Sequence, residues 1–102
     1  MTMLTNKEII RQIEQHKMTI RSFGVIKLTL IGSYAHGKQT KDSDIDFLVE
    51  FKKGRGLFDD YVHLLQYIRD IFQKEVDLVK PSLLREELRS SILEGAKLEA
   101  RI

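Results

Sequence analysis

The chain contains no cysteine, which excludes disulfide cross-links and thiolate-ligated metal sites and is in keeping with a cytoplasmic protein. It has no apolar run approaching the length of a membrane span, and its first residues lack the pattern of a signal peptide. It also has little net charge. Seventeen basic and 15 acidic side chains leave +2, too small a surplus to argue for nucleic-acid binding on electrostatic grounds. Repeats, low-complexity segments and linkers are absent from the sequence as well. What remains is 102 residues, 42% hydrophobic and 31% charged, the make-up of one soluble globular domain, residues 1–102, with a modest core.

The most informative stretch runs from Leu30 to Val49. An apolar run ends at Gly32-Ser33, small and polar residues follow, and Asp44-Ile45-Asp46 leads a second apolar run. In a strand, side chains two positions apart share a face, so Asp44 and Asp46 converge while Ile45, Phe47, Val49 and Phe51 line the other side. Adjacent like charges repel and tend to protonate unless a cation lies between them. Carboxylate oxygens of this kind suit Mg²⁺ shared with a substrate phosphate. Gly32 lets the backbone approach a ligand, and Ser33 supplies a hydroxyl and an N–H at a helix start, where phosphate oxygens are readily held.

The order Gly32-Ser33-Tyr34-Ala35-His36-Gly37, several loop residues, then Ser43-Asp44-Ile45-Asp46-Phe47-Leu48-Val49 resembles the nucleotidyltransferase superfamily related to DNA polymerase β. It is most similar to the minimal single-domain members, including antitoxins that pair with HEPN-type toxins. The family's third carboxylate lies in a later strand, and Val76-Asp77-Leu78-Val79 matches it. The resemblance extends from about Gly24 to Ile92. His36 stands where many minimal members carry Arg, and neutral His lacks the permanent charge of that residue. The resemblance implies a transfer of a nucleoside monophosphate, AMP from ATP or another NTP, to a hydroxyl. Two Mg²⁺ ions are implied at Asp44, Asp46 and Asp77, with Asp77 also able to assist in taking the acceptor's proton. Gly32 and Ser33 would hold the β- and γ-phosphates. A helical HEPN-type partner is implied too, with one of its tyrosines as acceptor. The rival function is a protein of the same fold that neutralises or organises its partner by contact alone.

The rest of the chain supplies a frame for these residues. Thr5-Asn6-Lys7-Glu8 reads as a capping box, opening a helix from about Asn6 to Ser22 that stops at Gly24. Val25 to Ile31 reads as a strand with Ile26, Leu28 and Leu30 inward and Lys27 and Thr29 outward. A short helical turn follows Gly32-Ser33, then a polar loop from Lys38 to Ser43 and a strand from Asp44 to Phe51. A helix is expected from Phe58 to Phe72, with Tyr61, Leu65, Ile68 and Phe72 inward, then a strand from Val76 to Val79. Pro81 and Ser82 would open a last helix with Leu84, Leu88 and Ile92 inward, ending at Gly95. The order α-β-α-β-α-β-α predicts an α/β (α+β) fold: a small mixed sheet, helices on one face and the acids on an open face. The helix between the second and third strands implies a parallel crossover that brings Asp77 to the end where Asp44 and Asp46 lie. The amphipathic terminal helices leave a homodimer open.

Other motifs compete for the same residues. Asp42-x-Asp44-x-Asp46 begins like an EF-hand loop, but Phe47 stands where Gly is needed and Lys53 where Glu is needed. Gly32-x4-Gly37-Lys38 mimics a P-loop, but Gln39 replaces the Ser or Thr that would hold Mg²⁺. Arg11-x4-His16 has the spacing found in HEPN ribonucleases, yet both residues fall in one helix and read as surface positions. Lys38, Lys41, Lys52, Lys53 and Arg55 are candidate phosphate contacts, and equally a set of solvated basic loops. Tyr61 and Tyr67 read as core or helix surface, and His63 as surface.

Overall fold

A computed structural model describes residues 4–80, 99–100 and 102. The elements are α1 (Asn6–Gln15), α2 (Lys17–Ser22), β1 (Val25–Ile31), α3 (Gly32–Ala35), β2 (Ile45–Phe51), α4 (Phe58–Phe72), β3 (Val76–Val79) and β4 (Glu99–Ala100). The expected helix between Ser82 and Gly95 lies outside the described residues. Among the described residues no helix is long and apolar enough to cross a membrane.

The N-terminal helical segment breaks in two where one helix was expected. Thr5 caps α1, its Oγ1 accepting from the Glu8 N–H at 3.3 Å. The Glu8 carboxylate is taken by Arg11, at 2.6 and 2.7 Å, which occupies the group that a full capping box would turn back towards Thr5. At His16 the ring Nδ1 lies 2.8 Å from the Gln12 carbonyl, the acceptor that the His16 N–H would use in a continuing helix. That N–H bonds to the Ile13 carbonyl instead, and the chain tightens before resuming as α2. His16 is half-buried and meets the Tyr67 ring edge-on at 5.8 Å. It is therefore a packing residue at the helix break, not the surface position expected from sequence. Ile9, Ile13 and Ile20 still share the core.

The sheet has the order β3-β2-β1-β4, with β1 antiparallel to β2 and β2 parallel to β3. Its inner face carries Leu28, Leu30, Ile45, Phe47, Val49, Val76 and Leu78, which form one buried cluster with Ile9, Ile13 and Ile20 of α1 and α2 and Leu64 and Ile68 of α4. Tyr61, Leu65 and Phe72 pack against this cluster partly buried, so the inner stripe of α4 is the expected one with Leu64 added at its centre.

One expectation for β1 fails. The pairing passes from Val25↔Phe51 to Lys27↔Glu50, so Ile26 is the extra residue of a β-bulge and the alternation slips by one. Val25 is buried and Ile26 is 53% exposed, where sequence periodicity placed Ile26 inward. Lys27 then meets Glu50 and, at 2.9 Å, Glu99 of β4 on the outer face. The outer face is also less open than expected, since Thr29, Ile31 and Leu48 are buried there. β4 was not foreseen. It is two residues long and pairs with Leu28 and Thr29.

The loop between β2 and α4 is closed by an ion pair. Arg55 donates from Nε and one NH2 to Asp60, both at 2.8 Å, and also to the Ser22 carbonyl at the end of α2. Asp60 in turn accepts from the Gly56 N–H, supplying in the first turn of α4 the anion that Leu57, an N-cap residue without a side-chain bond, cannot. The Arg55 guanidinium and the Gly56 N–H hold the Asp60 carboxyl down, from an ordinary 3.8 to about 2. A carboxylate with a depressed folded-state pKa stabilises the fold fully above its unfolded value, and that contribution is lost as pH falls towards the folded one. Asp60→Asn is therefore expected to lower the melting temperature at pH 7, with the gap to the parent closing as pH is taken from about 4 towards 2; a pH-independent gap in thermal melts would point to packing in place of charge.

Candidate active site

The sheet brings the sequence-predicted residues to one end. Parallel pairing of β2 with β3 sets Asp46 directly beside Asp77, with Ile45↔Val76 before them and Phe47↔Leu78 after. Antiparallel pairing sets Ile31, the last residue of β1, opposite Asp46 on the other side. Gly32 and Ser33 follow at once as the first residues of α3, whose leading N–H groups have no partner within the helix. Asp46 is half-buried and Asp77 exposed. Asp44, expected inside the strand, stands just before it and is exposed.

The geometry depends on glycine at position 32. Its φ is +76°, and a Cβ there would come within 2.5 Å of Asp46 Oδ2. Any larger residue meets the left-handed backbone penalty and a collision with the carboxylate. Tyr34, in the same motif, is 1% exposed and belongs to the core, anchoring α3 against the sheet.

The acids disturb one another. Burial, then the charge of Asp77, then that of Asp44, and a hydrogen bond with Asp77 together push the Asp46 carboxyl above its ordinary range. Among the described residues no three His, Asp or Glu side chains already converge as a cation-holding group; the close pair is Asp46 and Asp77, with Asp44 one step out. The donors are hard oxygens only, and their mutual repulsion is the kind that a divalent cation relieves. This set fits an ion such as Mg²⁺, which completes its shell with water and phosphate and needs no all-protein cage.

The loop from Lys38 to Ser43 was read as polar and turn-like, and it is pinned at several points. The Lys38 N–H bonds to the Ser33 carbonyl, Gln39 Nε2 to the Leu4 carbonyl, and Lys74 Nζ to the Lys41 carbonyl. Thr40 and Ser43 close a turn on each other. Lys38 and Lys41 are exposed. Lys52, Lys53 and Arg55 are not near the acids: a strand rises about 3.3 Å per residue, which puts Lys52 roughly 20 Å along β2 from Asp46. Those three are thereby removed as phosphate contacts. His36 is exposed at the end of α3. His63 is exposed, as expected, and tilts against Phe23. Tyr61 is half-buried with its hydroxyl donating to the Leu78 carbonyl. The role of Lys74 escaped the sequence reading, because its contact lies 33 residues away and a lone Lys after a helix carries no local signal.

The family model for a nucleotidyltransferase domain matches residues 8–99. A candidate protein adenylyltransferase of Methanocaldococcus jannaschii is 37% identical over 90% of this chain and 95% of its own length. The protein adenylyltransferase MntA of Thermococcus cleftensis is 35% identical over 91% of this chain and 94% of its own. Among solved structures, a candidate minimal nucleotidyltransferase superposes with a TM-score of 0.78 at 27% identity, covering 94% of this chain and 97% of that one. A toxin–antitoxin complex crystallised with AMP-PNP contributes a chain that superposes with a TM-score of 0.62 at 25% identity, covering 92% of this chain and 71% of that one.

Two outcomes test the geometry. A raised folded-state pKa means that the native state favours the protonated carboxyl, so stability is highest below the unfolded value and declines as pH rises through the folded one. In metal-free buffer Asp46→Asn should thus melt higher than the parent at pH 7, with the difference shrinking towards pH 3; a lower melting temperature at pH 7 contradicts the repulsion. Gly32→Ala should cost about 1–2 kcal/mol from the left-handed backbone alone, read by urea denaturation, and it should cost less when combined with Asp46→Ala, which removes the colliding oxygen.

Proposed function

Since the chain belongs to the nucleotidyltransferase domain family, we propose that it moves a nucleoside monophosphate, AMP from ATP, onto a hydroxyl of a partner protein, as the antitoxin of a toxin–antitoxin pair. The observation that carries the reading is Asp46 set beside Asp77 by strand register, with Gly32 pressed against the Asp46 carboxylate. The names of its relatives support adenylyl as the transferred group. The AMP-PNP-bound toxin–antitoxin neighbour supports an ATP-like donor and a protein partner. The further detail, a tyrosine of a helical HEPN-type toxin as acceptor, follows the family resemblance of the motif. Residues 1–102 act as one domain, in the cytoplasm.

In this reading Asp44, Asp46 and Asp77 hold two Mg²⁺ ions. Bound there, Mg²⁺ supplies Lewis-acid stabilisation of charge on the phosphoryl oxygens and lowers the pKa of the acceptor hydroxyl. Gly32 and Ser33 offer backbone N–H groups and the Ser33 hydroxyl to the β- and γ-phosphates. Asp77, the more exposed of the close pair, faces the acceptor and takes its proton. The acceptor oxygen bonds to the α-phosphorus, the bond from that phosphorus to the β-phosphate oxygen breaks, and pyrophosphate leaves. Placing the acceptor hydroxyl is the partner's part, and orientation of that kind is a large share of the rate.

Co-expression tests the proposal. The partner should carry adenylyl groups by mass spectrometry with the parent chain, and the yield should fall by about 10²-fold or more with Asp44→Asn/Asp46→Asn. A partner that is bound and silenced yet unmodified in both cases would show a protein that acts by contact alone.

A further inference from the structure

Asp44 is the one acid of the three that no strand holds, and its position is set from outside β2. On its C-terminal side, the Ile45 N–H bonds to the Glu75 carbonyl at 3.0 Å. On its N-terminal side, Lys74 Nζ reaches the Lys41 carbonyl at 3.1 Å. Consecutive residues of the turn between α4 and β3 thus grip the chain before and after Asp44. The turn is itself braced. Gln73 adopts a left-handed conformation, φ 52°, that ends α4, its N–H bonding to the Arg69 carbonyl at 2.7 Å and its side chain to the Asp70 carbonyl. Arg69 also pairs with Glu75 at 3.0 Å. Lys74 is half-buried, and its ammonium reaches the loop in an exposed hydrogen bond.

We infer that Lys74 is a positioning residue, which holds the Lys41–Ser43 loop so that Asp44 stays within reach of Asp46 and Asp77. The inference rests on the functional reading above for what Asp44 does, and on hydrogen-bond geometry alone for what holds it. The Glu75 bond is made by backbone and does not depend on either side chain. The Lys74 bond is the half of the grip that the sequence controls. Without it the loop keeps its own turn between Thr40 and Ser43 and the upstream bonds of Lys38 and Gln39. It loses its tie to the turn between α4 and β3 on the N-terminal side of Asp44, and Asp44 then has more room to swing away from a like-charged neighbour. Lysine suits the task because a long stem can cross from the turn to the loop and end in a charged donor for a carbonyl.

Hydrogen exchange on the full chain, free of nucleotide and metal, tests the grip. In Lys74→Met, which keeps the stem and removes the donor, amides of residues 41–45 should exchange roughly threefold to tenfold faster, the equivalent of losing one hydrogen bond. Amides within α4 and β1 should be unchanged. Lys74→Arg should restore protection, and Lys52→Met, at the far end of the sheet, should have no effect. A Mn²⁺ titration followed by broadening of the Asp44 and Asp46 amides tests the consequence: Lys74→Met should weaken the parent's affinity by a similar factor, and Lys74→Arg should return it. Unchanged exchange in Lys74→Met overturns the proposal, as does faster exchange with unaltered Mn²⁺ affinity. A parent chain that binds no Mn²⁺ would sink the metal reading of the acids, while exchange alone would still decide whether Lys74 holds the loop.

Discussion

The parallel register of β2 against β3 is the constraint from which the site follows. Phe47 and Leu78 must face the core together, and so must Ile45 and Val76. Each such side chain contributes about 1.5–3 kcal/mol by leaving water. Slipping one strand by a single residue would turn these inward groups to the outer face. With that register held, Asp46 and Asp77 have no freedom to separate. Two charges at the spacing of neighbouring strands repel by roughly 3 kcal/mol at an effective dielectric constant of 20. Burial of the four apolar partners exceeds this, so the core forces the acids together. With the pair held by the core, a divalent cation between the two carboxylates would relieve their repulsion.

The remaining parts of the site are arranged around the same strand end. Because β1 runs antiparallel to β2, it finishes where β2 begins, and Gly32 arrives against Asp46 with a backbone conformation that only glycine adopts cheaply. Buried Tyr34 then secures α3. The opposite end of the sheet has a different character. There the β-bulge exposes Ile26, and Arg55 and Asp60 lock the approach to α4, next to exposed Leu57 and Phe58. Basic side chains in that loop are too far away to serve the acids. Chemistry and loop closure are thus segregated to the two ends of β2, and substitutions at one end should act independently of those at the other.

Close agreement with relatives over nearly their whole length accords with a site built from the core elements themselves. No part of the acid pair or of the glycine turn depends on an appended domain. Orienting an acceptor is the task that the functional reading assigns to a partner.

Much of this was legible in the sequence because it depends on local periodicity and on residue chemistry. The bounds of β1, α4 and β3, the existence of a short helical turn beside Gly32-Ser33 and the alternation of Asp46 with Ile45 and Phe47 are consequences of local pattern within a single element. The crossover helix then implied parallel pairing, and with it the approach of Asp77 to Asp46. Tertiary structure decided what local pattern cannot encode. The bulge at Ile26 comes from a register shift between two strands, the break at His16 from a ring competing for a carbonyl, and β4 from pairing across some 70 residues of chain. The hold of Lys74 on the Lys41 carbonyl is of the same kind. A sequence determines which groups can bond, but which partner each group meets depends on how separate elements pack, and that information is not carried by neighbours along the chain.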